Sequence, residues 1–484
     1  MAGQITETGA SYSRLVGLIY IFNLIVGTGA LTMPNAFATA GWLLSLIMVV
    51  ALAVISYLTV TFVTEAMAIS NAKLKIDRRI AVNDPLTEPS ETRPLLQTSS
   101  QEIFDRSVSD FEITERVELG QMATLFFNRV GIFLFYLCMV LYLYGDLAIY
   151  AAAVPKSLRN VICTYEMPVN ISCNKTLSES DPCWKSSPIT RLQAYRIMVG
   201  AFIVCLGPFT FFNVQKTKYL QMFTTVTRWL AFILMIVLAA IRLEKGKGQG
   251  HPVVADFSGI PNLFGVCIYS FMCHHSLPSM VTPIRNKKGL YGLIVSDFSL
   301  ILGFYALLSF TGIYAFHNLE DLYTLNFLPD VCNPSQSVTT VKFFQYFLAL
   351  FPVFTLSTNF PIISVTLRNN LKTMFYKEER PYTWFVDKIV FPVATLLPPV
   401  IVAVITNKVE FLVGITGSYA GAGIQYIIPA LLVYFARKDI HDLAPGSVNP
   451  LKSPFRHLAW IIFVLIWAVI CIIFVTINHI ITQN

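Results

Sequence analysis

Long apolar runs separated by short polar segments dominate this chain. Eleven runs are long enough to cross the hydrocarbon core of a bilayer, which takes about 20 helical residues. They lie at residues 15–37, 41–69, 120–155, 193–212, 219–242, 258–283, 291–316, 338–366, 384–406, 411–436 and 456–480. The pattern predicts an all-α polytopic membrane protein with about eleven transmembrane helices.

Composition and charge indicate the same class. The 484 residues are 55% hydrophobic and only 13% charged, whereas charged residues make up about 25% of an ordinary soluble domain. The net charge of +7 reflects basic residues that concentrate before the first run and after each even-numbered run. The positive-inside rule makes those segments cytosolic. The charge therefore reports topology and indicates no nucleic-acid partner.

This topology divides the chain into six parts. They are a cytosolic N-terminus (1–14), helices 1 and 2 (15–69), a cytosolic loop (70–118), helix 3 (119–155), a luminal loop (156–192) and helices 4–11 with a luminal C-terminus (193–484). The 70–118 loop is polar, rich in Ser and Thr and without apolar periodicity, at least to about residue 108. Such composition predicts a disordered segment.

The luminal loop contains glycosylation sequons and cysteines, which are typical of segments in an oxidising compartment. Two acceptor sequons predict glycosylation at Asn170 and Asn174. Disulfide candidates are Cys163, Cys173, Cys183 and, in a later luminal segment, Cys332. Four cysteines allow three pairings, among which the sequence does not choose.

The cytosolic loop contains a short sorting-like motif. Glu91 precedes Leu95 and Leu96 in an arrangement that resembles an acidic dileucine signal. Sorting adaptors read such signals in extended cytosolic segments. The motif favours an endosomal or lysosomal membrane, with the plasma membrane as the alternative.

Glycine and proline interrupt two of the apolar runs. The first run holds Gly27, Thr28 and Gly29 ahead of Pro34, and the sixth holds small and polar residues at 264–276 ahead of Pro278. Opened helices are tolerated in lipid only where they line a cavity or face protein, and transporters bind substrate at such openings. The alternative is a kinked span with a purely structural role, because Gly and Pro are common in membrane helices.

Polar side chains within the runs suggest coupling chemistry. In the eighth run Thr355, Thr358 and Asn359 form a group of oxygen atoms suited to a hard cation. The alternative is that hydroxyls hold helices together. Asp146 in the third run is costly in lipid unless it faces a cavity or partner, so it suits either a proton relay or a structural cap. Glu65, Asp297 and Arg228 are expected near helix ends with snorkelling side chains.

These residues carry a family resemblance over essentially the whole chain. Asn23 with the following Val-Gly-Thr-Gly-Ala-Leu stretch resembles the first helix of the amino acid/auxin permease family, especially its sodium-coupled neutral amino acid transporters. Residues 270–274 and 414–417 are similar to that family's sixth and tenth helices. Residues 144–150 and 256–259 resemble the transmembrane protein 104 family within this group.

The resemblance implies a leucine-transporter-like inverted repeat with broken helices 1 and 6. Substrate would bind at Gly27, Thr28, Gly29, Tyr269 and Ser270, with its carboxylate on the glycine amides. Asn23 matches an asparagine implicated in sodium coupling. The family's threonine two residues before the helix-8 proline is Asn359 here, so the coupling ion stays open between sodium and a proton.

A secondary active amino acid transporter is therefore expected. The alternative is an amino-acid-sensing receptor on a transporter scaffold. No cofactor is expected beyond the coupling ion, and the expected partners are a small-molecule substrate, the lipid bilayer and sorting adaptors. An enzyme is not expected, because Asp146 follows Tyr144-Gly145 rather than completing an aspartyl-protease element, and the sequence has no metal-binding or nucleophile motif.

Overall fold

Helices follow one another through nearly all of the chain that the computed structural model describes, which is residues 11–82, 110–165, 178–185, 187–211, 218–329, 337–375 and 382–483. In the described ranges β-structure is limited to two isolated bridges, Tyr12 with Ile284 and Pro182 with Thr190. The α-helices are α1 (Arg14–Ile25), α2 (Thr28–Ala40), α3 (Trp42–Val82), α4 (Leu119–Phe126), α5 (Arg129–Ile162), α6 (Arg191–Leu206), α7 (Lys218–Glu244), α8 (Ile260–Ser270), α9 (Leu277–Val281), α10 (Leu290–Ala315), α11 (Lys342–Met374), α12 (Phe391–Ile405), α13 (Val409–Thr416), α14 (Ile428–Leu443) and α15 (Leu458–Gln483).

The described helices confirm a polytopic membrane protein. Nine helices are long and apolar enough to cross a bilayer, and the bent pair α1 and α2 raises the number to ten. The sixth predicted run forms α8 and α9, each too short to span alone. The count of eleven and the inverted repeat therefore stay predictions. On α15, Ile462, Ile466, Ile470 and Ile473 are exposed, as expected of a lipid-facing helix.

Two helices form the centre of the packing. α5 packs against α11, and it also contacts α6, α12 and α13. α8 lies between α2 and α13. The chain from α13 to α14 continues through two π-helical turns, Gly417–Gly421 and Gly423–Ile427. This arrangement places α2, α5, α8 and α13 around one central region.

The third apolar run is not one helix. α4 ends at Phe126 and α5 begins at Arg129, inside the apolar run predicted over 120–155. The side chain of Asn128 accepts a hydrogen bond from the Gly131 amide at 2.8 Å. An asparagine cap satisfies an amide at a helix start, so a polar residue inside an apolar run begins a new helix here.

The prediction of disorder is wrong at the start of the 70–118 loop, and the end of the loop, beyond the predicted limit of about residue 108, is ordered. α3 continues to Val82, and residues 110–118 return to pack against it. The Asn71 side-chain oxygen accepts from the amides of Thr114 at 3.1 Å and Glu115 at 2.8 Å. Phe111 and Ile113 are buried beside this contact. A buried amide side chain and two apolar anchors order the segment, while 83–109 lie outside the described residues.

Candidate functional site

The first helix opens at Val26 and Gly27. α1 ends at Ile25, α2 begins at Thr28, and the two axes differ by 58°. No side chain in the described part of the chain caps the start of α2. The last carbonyls of α1 and the first amides of α2 therefore lack intrahelical partners. The break presents a partial negative charge at one helix end and a partial positive charge at the other.

The second break lies against the first. α8 ends at Ser270, and a turn over residues 271–276 leads to α9. The Tyr305 hydroxyl of α10 lies 2.8 Å from the Ser270 carbonyl and 3.2 Å from the Ile25 carbonyl. One side chain from a third helix thus bridges the open carbonyl ends of both broken helices. The breaks expected in helices 1 and 6 are confirmed.

The two glycines of the first break have different surroundings. A Cβ atom added to Gly29 would lie 2.3 Å from Ser270 Oγ and 2.8 Å from Ser270 Cα. Gly29 is therefore required for the close approach of α2 to α8. Of the described atoms, a Cβ on Gly27 would meet only the Ile25 carbonyl oxygen, at 3.9 Å. Open space adjoins Gly27, which makes it the better probe of the opening.

One face of α5 borders the breaks. Tyr142, Asp146 and Tyr150 are spaced four residues apart, so they share a helix face. Asp146 is buried within hydrogen-bonding reach of Tyr269, and its Oδ1 has no partner among the described residues. Tyr150 lies within hydrogen-bonding reach of Thr28 and, from α11, Asn359. The sequence interpretation missed both tyrosines, although their four-residue spacing from Asp146 was available as a signal.

The oxygen atoms expected to bind a coupling ion are only partly assembled. Thr355 donates to the Phe351 carbonyl at 3.0 Å, and Thr358 donates to the Thr355 carbonyl at 2.9 Å. Both hydroxyls thus bond within α11. The Asn23 side-chain nitrogen has no partner in the part of the chain described. Coupling roles for these residues stay predictions.

The expectation of snorkelling side chains is wrong for three residues. Glu65 is buried and pairs with Arg437 at 2.7 Å. Asp297 is also buried, and neither of its carboxyl oxygens has a partner within the described ranges. Arg228 of α7 reaches the first break, where its Nη1 donates to the carbonyl of Asn23 and, at 3.0 Å, to that of Val26. Partners on other helices hold the charged groups of Glu65 and Arg228, so neither side chain extends to the membrane–water interface as a snorkelling side chain would.

A polar cavity lies at the opposite end of α2 and α8 from the breaks. It has a volume of about 510 Å³ and is lined by Asn35, Lys156, Ser258, Asn262, Asp321 and Glu410, among others. The two oxygens of the Glu410 carboxylate accept from the side-chain amides of Asn35 and Asn262. Lys156 pairs with Asp321 at 2.6 Å in the same wall. Glu410 thereby joins α13 to α2 and α8. It was missed because the predicted run began one residue later.

The loop predicted to be luminal contains one disulfide among its described residues. Cys163 is bonded to Cys183, which joins the end of α5 to the segment that leads into α6. Of the other sequence-predicted sites, Asn170, Asn174, Cys173, Cys332, Glu91, Leu95 and Leu96 lie outside the described residues. Glycosylation and sorting stay predictions.

Comparison with known proteins agrees with this architecture. Residues 11–79 and 109–480 match the family described as transmembrane amino acid transporter protein. The chain is 55% identical to transmembrane protein 104 of Gallus gallus over 510 residues and 53% identical to that of Homo sapiens over 507 residues, with all of both chains covered in each case. It is 36% identical to a transmembrane protein 104 homolog of Dictyostelium discoideum over 529 residues, again over the full length of both. The chain therefore belongs to the transmembrane amino acid transporter protein family and, within it, to the transmembrane protein 104 group.

Proposed function

We propose that this protein is a secondary active transporter of amino acids, driven by a sodium or proton gradient. The observation that carries the proposal is the meeting of two broken helices at Tyr305, which lies beside the carbonyl ends of α1 and α8. Transporters with discontinuous helices bind substrates at such ends. Membership of an amino acid transporter family supports the same substrate class.

The chemistry of the two breaks fits a zwitterion. The unpaired amides at the start of α2 suit a carboxylate, since a helix N-terminus favours an anion. The end of α8 and the Asp146 carboxyl group suit an ammonium group. Tyr150 and Tyr269 would orient the ligand between these poles, because their hydroxyls lie within reach of Thr28 and Asp146, respectively.

The decisive experiment is uptake of a pooled radiolabelled amino acid mixture into proteoliposomes. Sodium and pH gradients are imposed separately. Gly27→Leu directs a side chain into the open space at the break and should abolish uptake without loss of folded protein. Gly303→Leu is the matched control, because Gly303 is exposed on α10 and a Cβ there would meet nothing within 4 Å.

Each outcome has a distinct meaning. Gradient-driven uptake that Gly27→Leu abolishes and Gly303→Leu retains supports the proposal. Saturable amino acid binding without flux would refute transport and favour an amino-acid-sensing receptor. Gly29→Leu is unsuitable as a test, because its Cβ would collide with Ser270 and disturb the packing.

The proposal includes an endosomal or lysosomal membrane. Its support is the Glu91, Leu95 and Leu96 motif in a segment that the charge pattern makes cytosolic. Replacing both leucines with alanine should move the protein to the cell surface in imaging of live cells. Unaltered lysosomal staining would contradict this assignment.

A further inference from the structure

The carbonyl end of α1 is already occupied by protein donors. The helix stops at Ile25, and three carbonyls at the break have partners from other helices. Arg228 Nη1 donates to those of Asn23 and Val26, and the Tyr305 hydroxyl reaches that of Ile25. Backbone carbonyls at the end of a broken helix are the ligands that transporters present to coupling cations. Here a guanidinium group takes two of them.

Local packing holds Arg228 in this position. The neighbouring Trp229 ring stacks on the Phe22 ring of α1 at a centroid distance of 4.4 Å. Phe22 also contacts Phe304 of α10 at 5.7 Å. Two consecutive residues of α7 thus contact the end of α1: Arg228 through its guanidinium group and Trp229 through its ring. The side chain of Arg228 is directed at the break by its helix and not by a surface ion pair.

The positive charge has no acidic partner in the described ranges. The ion pairs found there do not include Arg228. The ionisable groups that face it are the phenol hydroxyls of Tyr150 and Tyr305. Its electrostatic compensation therefore comes from the α1 carbonyls, since the C-terminal end of a helix favours a cation.

We propose that Arg228 is a permanent cation built into the first helix break, and that it replaces a sodium ion at the Asn23 and Val26 carbonyls. Sodium would need the same oxygen atoms, because a hard cation prefers oxygen ligands. Two positive charges a few ångströms apart in a protein interior repel strongly. A guanidinium group does not lose its proton in proteins, so the charge of Arg228 persists throughout a transport cycle.

This inference rests on the proposed transport function and restricts its energy source. Sodium would not bind at this break, and transport would need no sodium. A proton gradient or exchange of one amino acid for another would supply the driving force. Asp146, one of whose carboxyl oxygens has no partner among the described residues, is a group of the site able to carry a proton.

The test measures cation binding by the purified full-length protein, independently of flux. Thermal unfolding is followed in choline, sodium or millimolar guanidinium chloride for the wild type, Arg228→Ala and Arg228→Lys. Thr227→Ala is the matched control, because within the described ranges the Thr227 hydroxyl bonds only to carbonyls of its own helix, at 3.0 Å. We expect no sodium-specific shift in the wild type or in Thr227→Ala.

The alanine variant should respond differently. Its midpoint temperature should fall by several degrees and recover saturably with guanidinium, because the free ion fills the vacated position. Arg228→Lys should keep most of the wild-type stability. A saturable sodium-dependent rise in the wild type would overturn the proposal, as would equal responses of the wild type and Arg228→Ala to guanidinium.

A second measurement uses the proteoliposome assay. Replacement of sodium by choline should leave wild-type uptake unchanged, and strict sodium dependence would overturn the inference. If no amino acid is transported under any gradient, the proposed function fails while the cation-binding result still stands. If Arg228→Ala does not fold, the sodium response of the wild type and Arg228→Lys decides the question.

Discussion

Gly265→Ala should separate the two helices that hold the second break in place. A Cβ atom on Gly265 of α8 would lie 1.9 Å from the Gly414 carbonyl oxygen and 2.5 Å from Ser418 Oγ. A carbon–oxygen contact in proteins normally measures about 3.3–3.6 Å. The two backbones would therefore have to move apart by more than about 1 Å. The nearest atom belongs to the backbone, so no rotation of a side chain relieves the contact.

The approach is equally close in the opposite direction. A Cβ on Gly417, in the π-helical turn after α13, would lie 1.9 Å from the Gly265 carbonyl oxygen. Overpacking a well-packed interior typically costs about 1–3 kcal/mol. We expect Gly265→Ala to lie near the upper end, because the whole helix contact between α8 and α13 must open. Gly417→Ala should behave alike.

The assay is thermal unfolding of purified protein in detergent. Gly303→Ala is the control, since a Cβ there meets nothing within 4 Å. Alanine favours a helix by about 0.5–1 kcal/mol relative to glycine, so this control should unfold at the wild-type temperature or slightly above. Gly265→Ala should unfold several degrees lower. Equal unfolding temperatures for the two variants would refute the close-packing argument.

Two further predictions concern polar contacts. Glu410→Gln should leave Asn35 or Asn262 without its acceptor at a cost of about 1–3 kcal/mol, because a glutamine side chain has one acceptor oxygen where the carboxylate offers two. Hydrogen exchange of residues 28–40 and 260–270 should then accelerate. Glu320→Gln, at the exposed rim of the cavity, is the control and should have no such effect. Unchanged exchange in Glu410→Gln would show that Glu410 does not hold α2 and α8 together at the cavity. The Arg78 guanidinium holds the pKa of Glu115 below its usual value through a side-chain hydrogen bond. This contact therefore contributes its full stability above the unfolded pKa of the carboxyl group, about 4.3. The stability is lost as the pH falls through the lower pKa of the folded state. After correction for intrinsic exchange, the hydrogen exchange of residues 110–118 should be constant from neutral pH to about pH 5 and rise only at more acidic pH. A rise that is already complete at pH 6 would contradict the stabilising role of the contact between Arg78 and Glu115. So would a rise that persists in Glu115→Gln.

Helix ends were the features that the sequence predicted least well. The apolar character of the run over 120–155 is continuous, so it did not show where a helix ends inside the run; the Asn128 cap divides it. The loop over 70–118 was predicted to be disordered, at least to about residue 108, because its own composition offers no core. Its ends are ordered by contacts with each other, through Asn71 and the amides of Thr114 and Glu115. Those contacts join residues more than forty positions apart, which no local pattern encodes.

The candidate site was predicted in part. Gly27, Gly29 and Asp146 were singled out as small or ionisable residues inside apolar runs, and the family resemblance implied Tyr269 and Ser270. The structure brings these residues together. The different surroundings of the two glycines were not predictable, because they depend on the distance from α2 to α8. Arg228 was assigned to a helix end because a charged residue early in a span usually snorkels.

The sequence by itself determined the class of the protein and the position of its two broken helices. The hydropathy of about 20 consecutive residues indicates whether a helix lies in lipid. Gly and Pro disrupt a helix through their own backbone geometry. Both signals are therefore local. The tertiary structure alone decided which cation meets the first break and what closes the far end of α2 and α8. Arg228 lies 205 positions from Asn23, and Glu410 lies 375 positions from Asn35 and 148 from Asn262. Their pairing follows from helix packing, since a buried charge binds whichever carbonyl or amide the fold brings within reach.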